Sequence, residues 1–213
     1  MNDLLELMVD RQLNRRGIGD VKVLEAFRKV DRRLFVAESD QAYAYDDRPL
    51  TIGFGQTISQ PYIVALMTQL LRLKGKEKIL EVGAGSGYQT AILAELGDEV
   101  YAIERIPELA ASAEKRLSDL GYNRVHIRSG DGSVGWVEAA PFDCILVAAA
   151  APSISASLSK QLKPGGRMVA PIGTRMSQQL FLIEKDANNV IKVSRNDRCV
   201  FVPLIGKEGW PIV

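Results

Sequence analysis

The sequence predicts an α/β protein: a doubly wound, mostly parallel sheet with helices on both faces and an N-terminal helical appendage. Three observations carry that expectation. From Pro61 onward short apolar runs alternate with segments of helical periodicity, Gly or Pro punctuates most junctions, and one strand runs straight into Gly83-Ala84-Gly85-Ser86-Gly87. Such alternation is the signature of parallel strands joined by crossover helices.

From Asn2 to about Phe35 the pattern is helical, and Asp20 can cap a segment in which Val23, Phe27 and Val30 share one face. Tyr43 to Pro61 reads as a loop rich in aromatics and glycines. Pro61 suits the first turn of a helix, where its missing N–H costs nothing, and Ile63, Met67, Leu70 and Leu71 form that helix's buried stripe. Lys78 to Val82 is a strand. After the glycine loop, Ala91, Ile92 and Leu96 mark a helix that Gly97 ends. Glu99 to Glu104 is the second strand, and Pro107 opens a helix with Leu109, Ala113, Leu117 and Leu120 inward, stopped by Gly121. The third strand carries Val125 and Ile127 up to Gly130-Asp131-Gly132, and the fourth runs from Phe142 to Ala148. A helix from Ile154 to Leu162 leads through the turn Lys163-Pro164-Gly165-Gly166 to a fifth strand with Met168, Val169 and Ile172. Leu180–Ile183, Val190–Val193 and Val200–Leu204 read as further strands, the first two joined at Asn188-Asn189 into an antiparallel edge. No linker separates these regions, so residues 1–213 are expected to form one domain, with helices and a loop in 1–60, the alternating core in 61–175 and C-terminal strands and tail in 176–213.

Composition narrows the function classes. Hydrophobic residues at 46% and charged residues at 25% fit a soluble globular chain and exclude disorder. Lys and Arg number 27 against 26 Asp and Glu, so no long-range field draws nucleic acid or an anionic membrane to the chain. The pairs Arg15-Arg16 and Arg32-Arg33 read as solvated faces. The N-terminal residues, with Asp3, Glu6 and Asp10 among leucines, do not resemble a signal peptide, and the longest apolar run, Cys144 to Ala151, is too short to cross a bilayer. The expected setting is the cytoplasm, with the chain a monomer. Cys144, Cys199 and the single His126 lack metal-ligand spacing, so no metal site is expected and both cysteines are read as small core residues.

The sharpest chemical signal is the strand, glycine loop and helix from Lys78 to Leu96. Glycines there let backbone approach a ligand closely. A dinucleotide site requires glycine three places after Gly85, but that position is Tyr88 and the third glycine is Gly87, so the pattern is G-x-G-x-G. No basic residue in the loop awaits a pyrophosphate. Glu104, at the end of the second strand, can accept hydrogen bonds from two ribose hydroxyls; Asp131 beside Gly132, at the end of the third, can accept from an adenine amino group. The glycines alone could be a tight turn without a ligand. Their register with Glu104 and Asp131 on consecutive strands favours an adenosyl site.

The residues Glu81-Val82-Gly83-Ala84-Gly85-Ser86-Gly87, Ile103-Glu104 and Gly130-Asp131-Gly132 resemble successive motifs of class I methyltransferases. The segments Gly53-Phe54-Gly55-Gln56-Thr57-Ile58-Ser59-Gln60-Pro61, Gly135-Trp136, Ala139-Ala140-Pro141-Phe142-Asp143, Gln161-Leu162-Lys163-Pro164-Gly165-Gly166 and Phe201-Val202-Pro203-Leu204 are similar, in order and spacing, to protein-L-isoaspartate O-methyltransferases. The match spans about Arg11 to Leu204. Phe54 and Ala148 stand where that family often has tyrosine and threonine. The resemblance implies a Rossmann-like sheet of seven strands whose last strands depart from the usual methyltransferase order. It implies S-adenosyl-L-methionine as methyl donor, S-adenosyl-L-homocysteine as product, and isoaspartyl-containing proteins and peptides as substrates. By the same resemblance Gln56, Thr57, Ile58, Ser59, Glu81, Gly83, Gly85, Ser86, Gly87, Glu104, Arg105, Asp131 and Gly132 would hold the donor. Ser59 would be the active-site hydroxyl, and Phe54, Ile58, Ser59, Val202, Pro203 and Leu204 would line the peptide groove.

Plainer roles stand beside these. Ser59 could be an N-cap for the helix opened by Pro61, worth about 1 kcal/mol; Thr57 has the same ambiguity. Tyr43, Tyr45 and Phe54 could pin a loop to the core or wall a substrate site. Trp136 is read as packing near the adenine pocket, and His126 has no assigned role. A methyltransferase for small acids would share Lys78 to Gly166 but has no use for the segment from Gly53 to Pro61; a non-catalytic donor-binding module is the other alternative.

Overall fold

The computed structural model describes residues 3–211; Asn2, where the helical pattern begins, lies outside them. Helix α1 (Asp3–Leu7) continues through a π-helical stretch (Met8–Leu13) and a 3₁₀ turn that Gly17 ends with φ 95°. Asp20 caps α2 (Val21–Lys29) by accepting the Lys22 N–H at 2.9 Å. Val23, Phe27 and Val30 are buried, as their spacing predicts. The segment read as a loop contains a short hairpin, β1 (Leu50–Gly53) with β2 (Gln56–Ile58), whose tip holds Gly53, Phe54 and Gly55 at positive φ. Strands of four and three residues are too short for alternation to betray them.

Helix α3 (Pro61–Leu71) starts at Pro61 and buries Ile63, Met67 and Leu71. Next come β3 (Lys78–Val82), α4 (Tyr88–Leu96), β4 (Glu99–Glu104), α5 (Pro107–Asp119), β5 (Val125–Ser129), β6 (Phe142–Val147), α6 (Ala156–Gln161), β7 (Leu162–Gly173), β8 (Gln178–Lys185) and β9 (Ile191–Cys199). Other readings need correction. Leu120, just past α5, is 40% exposed, because the chain has already turned toward Gly121. Lys163 to Gly166 belong to the first part of β7, where pairing with β6 slips register between Phe142 and Cys144. Val200–Leu204 is no ladder strand: it crosses the sheet's end, bridges Ala150 through Pro203, and is held to β8 by the Phe201 N–H, which donates to Gln178 Oε1 at 2.8 Å.

The sheet has the order β5-β4-β3-β6-β7-β8-β9; the first five strands run parallel and β8 and β9 add antiparallel. Alternate strand residues serve two cores. Ile79, Cys144, Leu146 and Val169 pack with buried residues of α2, α3, α4 and α5, whereas Leu80, Val82, Ile145, Val147 and Met168 pack with Leu158 of α6 and with Leu204. Arg32, read as solvated, is fully buried with its guanidinium 5.0 Å from the Tyr88 ring centroid. Burial lowers its pKa to about 10, so it keeps its charge near neutrality.

Candidate active site

Strand order reverses between β3 and β6, and in open α/β sheets ligands settle outside the carboxyl ends of the strands at such a point. Here that point opens into a cleft of about 340 Å³. Gly83, Gly85, Glu104, Arg105 and Gly132 supply its strand-end walls, Phe54, Gln56 and Thr57 of the hairpin close one side, and Val202, Pro203 and Leu204 of the tail close another. The loop after β3 is fixed from several directions. Gly83 N–H donates to Ile103 O at 2.8 Å, Arg116 Nη1 donates to Ser86 O at 2.7 Å, and Gly85, at φ 52°, donates its N–H to Glu104 Oε2 at 2.9 Å. Ile106 N–H reaches Glu104 Oε1 at 3.0 Å. Each carboxylate oxygen keeps a lone pair for a further donor, as a ribose diol requires.

A second groove of about 430 Å³ adjoins the cleft, sharing Thr57, Ala148 and Val202 with it. Ser59 lies on its wall and also on a small cavity of about 40 Å³, with Ile58, Ser86, Gly83 and Gly85, that runs under the hairpin between the two. The capping alternative for Ser59 does not hold. Gln60 is the N-cap of α3 and its side chain makes no capping bond, the Tyr62 N–H in the first turn donates to Asp47 Oδ1 at 3.3 Å, and among the described residues the Ser59 hydroxyl makes no hydrogen bond. Tyr45 is buried, its hydroxyl donating to Asp31 at 2.7 Å, so it pins the loop; Phe54 is 59% exposed on the cleft wall.

Three residues expected around the donor are not on any of these walls. Glu81 points into the core under α4, where Thr90 Oγ1 donates to it at 2.5 Å; burial first, then the nearby Glu104 charge, push its pKa up to about 8 against the pull of the Thr90 bond. Gly87, at φ 87°, is the N-cap of α4 and packs against Leu117 of α5. Asp131 caps a 3₁₀ turn and accepts the Ser133 N–H, the Ser133 hydroxyl and the Lys207 N–H at 2.9, 2.7 and 2.8 Å. Trp136 packs instead against Tyr101, ring centroids 5.2 Å apart, with Arg128 over it at 4.3 Å. Cys199, expected in the core, is half-buried on the groove wall.

Sequence reasoning also missed Arg16, Tyr62, Asp197 and Arg198, which line the groove beside Ser59. Arg16 pairs with Asp47 and stacks on Tyr62 at 3.7 Å, and the Tyr62 hydroxyl donates to Asp197 at 3.1 Å. Neighbours on a strand normally face opposite ways, yet Asp197 and Arg198 share the groove. Phe181 pairs with Arg195 and Gln179 with Arg198, so β9 carries one extra residue, a bulge that re-aims side chains. Composition gives no sign of such a bulge. Among the described residues no cluster of three or more His, Cys, Asp or Glu could hold a metal, and no helix is long and apolar enough to cross a membrane.

A glycine loop and a free-sided strand-end carboxylate at the reversal point, on a parallel sheet with an antiparallel edge, define an S-adenosylmethionine-dependent methyltransferase. Residues 5–209 match the family model of protein-L-isoaspartate(D-aspartate) O-methyltransferase, and the chain belongs to that family. It is 51% identical over 212 residues to a protein-L-isoaspartate O-methyltransferase 2 of Marinobacter nauticus, covering 99% of this chain and 97% of that one. It is 54% identical over 205 residues to the protein-L-isoaspartate O-methyltransferase of Petrotoga mobilis, covering 96% of each. A crystal structure from Plasmodium falciparum, described as a protein-L-isoaspartate O-methyltransferase in complex with S-adenosyl-L-homocysteine, superposes with a TM-score of 0.81 at 28% identity, covering 96% of this chain and 99% of that one.

Proposed function

We infer that this protein transfers a methyl group from S-adenosyl-L-methionine to the free α-carboxylate of L-isoaspartyl residues in damaged proteins and peptides. The observation that carries this reading is the pairing of a strand-end cleft that holds Gly83, Gly85 and Glu104 with an open groove that presents a hydroxyl, Ser59, which makes no hydrogen bond among the described residues. The donor, when bound, supplies an electrophilic sulfonium methyl. The acceptor needs no base: an α-carboxyl ordinarily titrates at about 3.3 to 3.7 and is ionised at neutral pH. The protein's task is therefore to hold one carboxylate oxygen in line with the methyl, at roughly 3 to 3.5 Å.

Residue roles follow from this reading. Glu104 would accept from the ribose hydroxyls, the backbone of Gly83 to Gly85 would hold the donor's amino-acid end, and Gly132, lacking a Cβ, would leave room for the adenine. Thr57 and Ser59 donate hydrogen bonds to the carboxylate, and Val202 to Leu204 receive the peptide. Removal of water by Phe54 and the tail limits solvation of the two ions, whose charges cancel as the methyl moves. The ester product then reacts without further help: the next backbone nitrogen attacks it, methanol leaves, and hydrolysis of the resulting succinimide returns some normal aspartate. We also propose one folding unit over residues 1–213, acting as a cytoplasmic monomer without nucleic-acid or membrane partners.

Transfer of radiolabelled methyl to an isoaspartyl peptide, but not to its normal aspartyl twin, tests the reading. Ser59→Ala should lower turnover by about tenfold or more, the scale of one charged hydrogen bond, while S-adenosylhomocysteine affinity stays within about twofold. Equal labelling of both peptides would refute the substrate, and full turnover in the variant would remove Ser59 from the mechanism.

A further inference from the structure

The tail that walls the cleft is held by a knot of hydrogen bonds just beyond it, at Gly206 to Glu208. The Glu208 carboxylate accepts from Ser155 Oγ at 2.7 Å, from Ser157 N–H at 3.0 Å and from Ser157 Oγ at 2.5 Å, all around the start of α6. These bonds, those from Ser157 foremost, bring its pKa down to about 2, so it is ionised under any working condition. Its own N–H donates to Ser133 Oγ at 3.0 Å, the hydroxyl of Ser133 donates to Asp131 Oδ1 at 2.7 Å, and the Lys207 N–H donates to Asp131 Oδ2 at 2.8 Å. One network thus joins α6, the 3₁₀ turn after β5 and the tail.

The joint has no slack. Trp210 N–H folds back onto Leu204 O at 2.6 Å and Gly206 N–H donates to Trp210 O at 3.1 Å, while a Cβ at Gly206 would run into the Asp131 carboxylate. On the cleft side of this joint lie Leu204 and Ile205 in one wall and Gly132, next to Asp131, in another. Asp131 is therefore tied to the tail by Lys207 as well as lying beside the surface expected to meet the adenine. The Glu208 side chain lines none of the cavities around the site, so any effect on a ligand there passes through the elements it fastens.

We propose that Glu208 is a positioning residue for the methyl donor: its carboxylate fastens the tail to α6, beside the main-chain tie from its N–H through Ser133 to Asp131, and so fixes the separation of the cleft's two walls and sets donor affinity without touching the donor. This rests on reading the cleft as the donor site. A charged hydrogen-bond acceptor lost from such a joint costs about tenfold where its geometry is used in binding.

The test compares wild type, Glu208→Ala and the milder Ser157→Ala, which deletes a single donor and keeps the protein folded should the first variant be unstable. Calorimetry with S-adenosylhomocysteine gives donor-site affinity, and steady-state assays give KM for each substrate and kcat. The expected result is a rise of about tenfold in the dissociation constant and in the donor KM for Glu208→Ala, and a smaller rise for Ser157→Ala. With donor saturating, kcat and the isoaspartyl-peptide KM stay within about twofold of wild type. Unchanged donor affinity in the folded variants would overturn the proposal, as would a uniform loss of kcat tracking the loss of folded protein in a thermal melt. Wild-type protein that binds no S-adenosylhomocysteine would instead refute the reading of the cleft.

Discussion

Replacing Glu81 by Gln isolates a proton that the fold is required to hold. Glu81 is fully buried on β3; one carboxyl oxygen takes the Thr90 hydroxyl and the other has no hydrogen-bond partner among the described residues. Burial raises its pKa from the ordinary value of 4.5 to about 8, so the folded protein carries a neutral acid where the unfolded chain carries an anion. The sign follows from linkage: its favourable contribution is whole below pH 4.5, falls as pH rises toward 8, and is lost above that. The slope can reach about 1.4 kcal/mol per pH unit inside that window, which accumulates to several kcal/mol. Glutamine does not titrate, so the variant lacks the slope, whatever constant offset its buried amide adds. Urea unfolding at intervals between about pH 5 and about pH 8 measures the difference. The stability of Glu81→Gln relative to wild type should rise steadily across that range. A difference that stays constant within about 0.5 kcal/mol would mean that Glu81 is ionised in the folded state, and the argument from burial would fail. Because Glu81 lines none of the three cavities around the site, S-adenosylhomocysteine affinity should be unchanged, a result opposite to that for a residue touching the donor.

Glu104→Gln keeps the size of the side chain but puts donors where Gly85, Ile106 and a ribose all need acceptors; calorimetry should show donor affinity reduced by about tenfold or more. Gly132→Ala places a Cβ 2.5 Å from Val82 Cγ1, so a drop in melting temperature together with weaker donor binding is expected, and an unaltered melt would mean that β3 yields freely. Glu208, with its pKa held near 2, contributes stability that is whole above 4.5 and lost as pH falls toward 2. The acid-unfolding curve of Glu208→Gln should therefore be shallower than that of wild type in this range.

Much of the architecture is written in local pattern. Lys78–Val82 and Glu99–Glu104 coincide with the observed strands because they are short, largely apolar runs bounded by glycine or proline stops, and Asp20 and Pro61 mark helix starts through capping chemistry that acts within a few residues. The hairpin at Leu50–Ile58 escaped because its strands are short and half exposed, and its pairing depends on a glycine tip rather than on periodicity. Val200–Leu204 has strand-like composition, but it follows the two antiparallel edge strands and crosses the end of the sheet, which only the tertiary path decides. At the site, Glu104 and the glycine loop were legible because backbone spacing fixes them at strand ends. Asp131 sits at the expected place, yet its carboxylate is occupied by the tail, a partner 76 residues away that no local signal names. Arg198 was invisible for a related reason: one inserted residue in β9 decides which face it takes.

That inserted residue also shapes an exposed rim of the sheet. β9 is the outermost strand of the sheet, with Ile191 and Val193 partly exposed, and its outer backbone is the kind of edge that recruits strands from other molecules. The bulge twists this rim, and Lys192, Arg195, Asp197 and Arg198 set charge along it. Apolar replacements there would turn a tolerated rim into a nucleus for fibrous association, long before they disturbed folding of the rest of the chain.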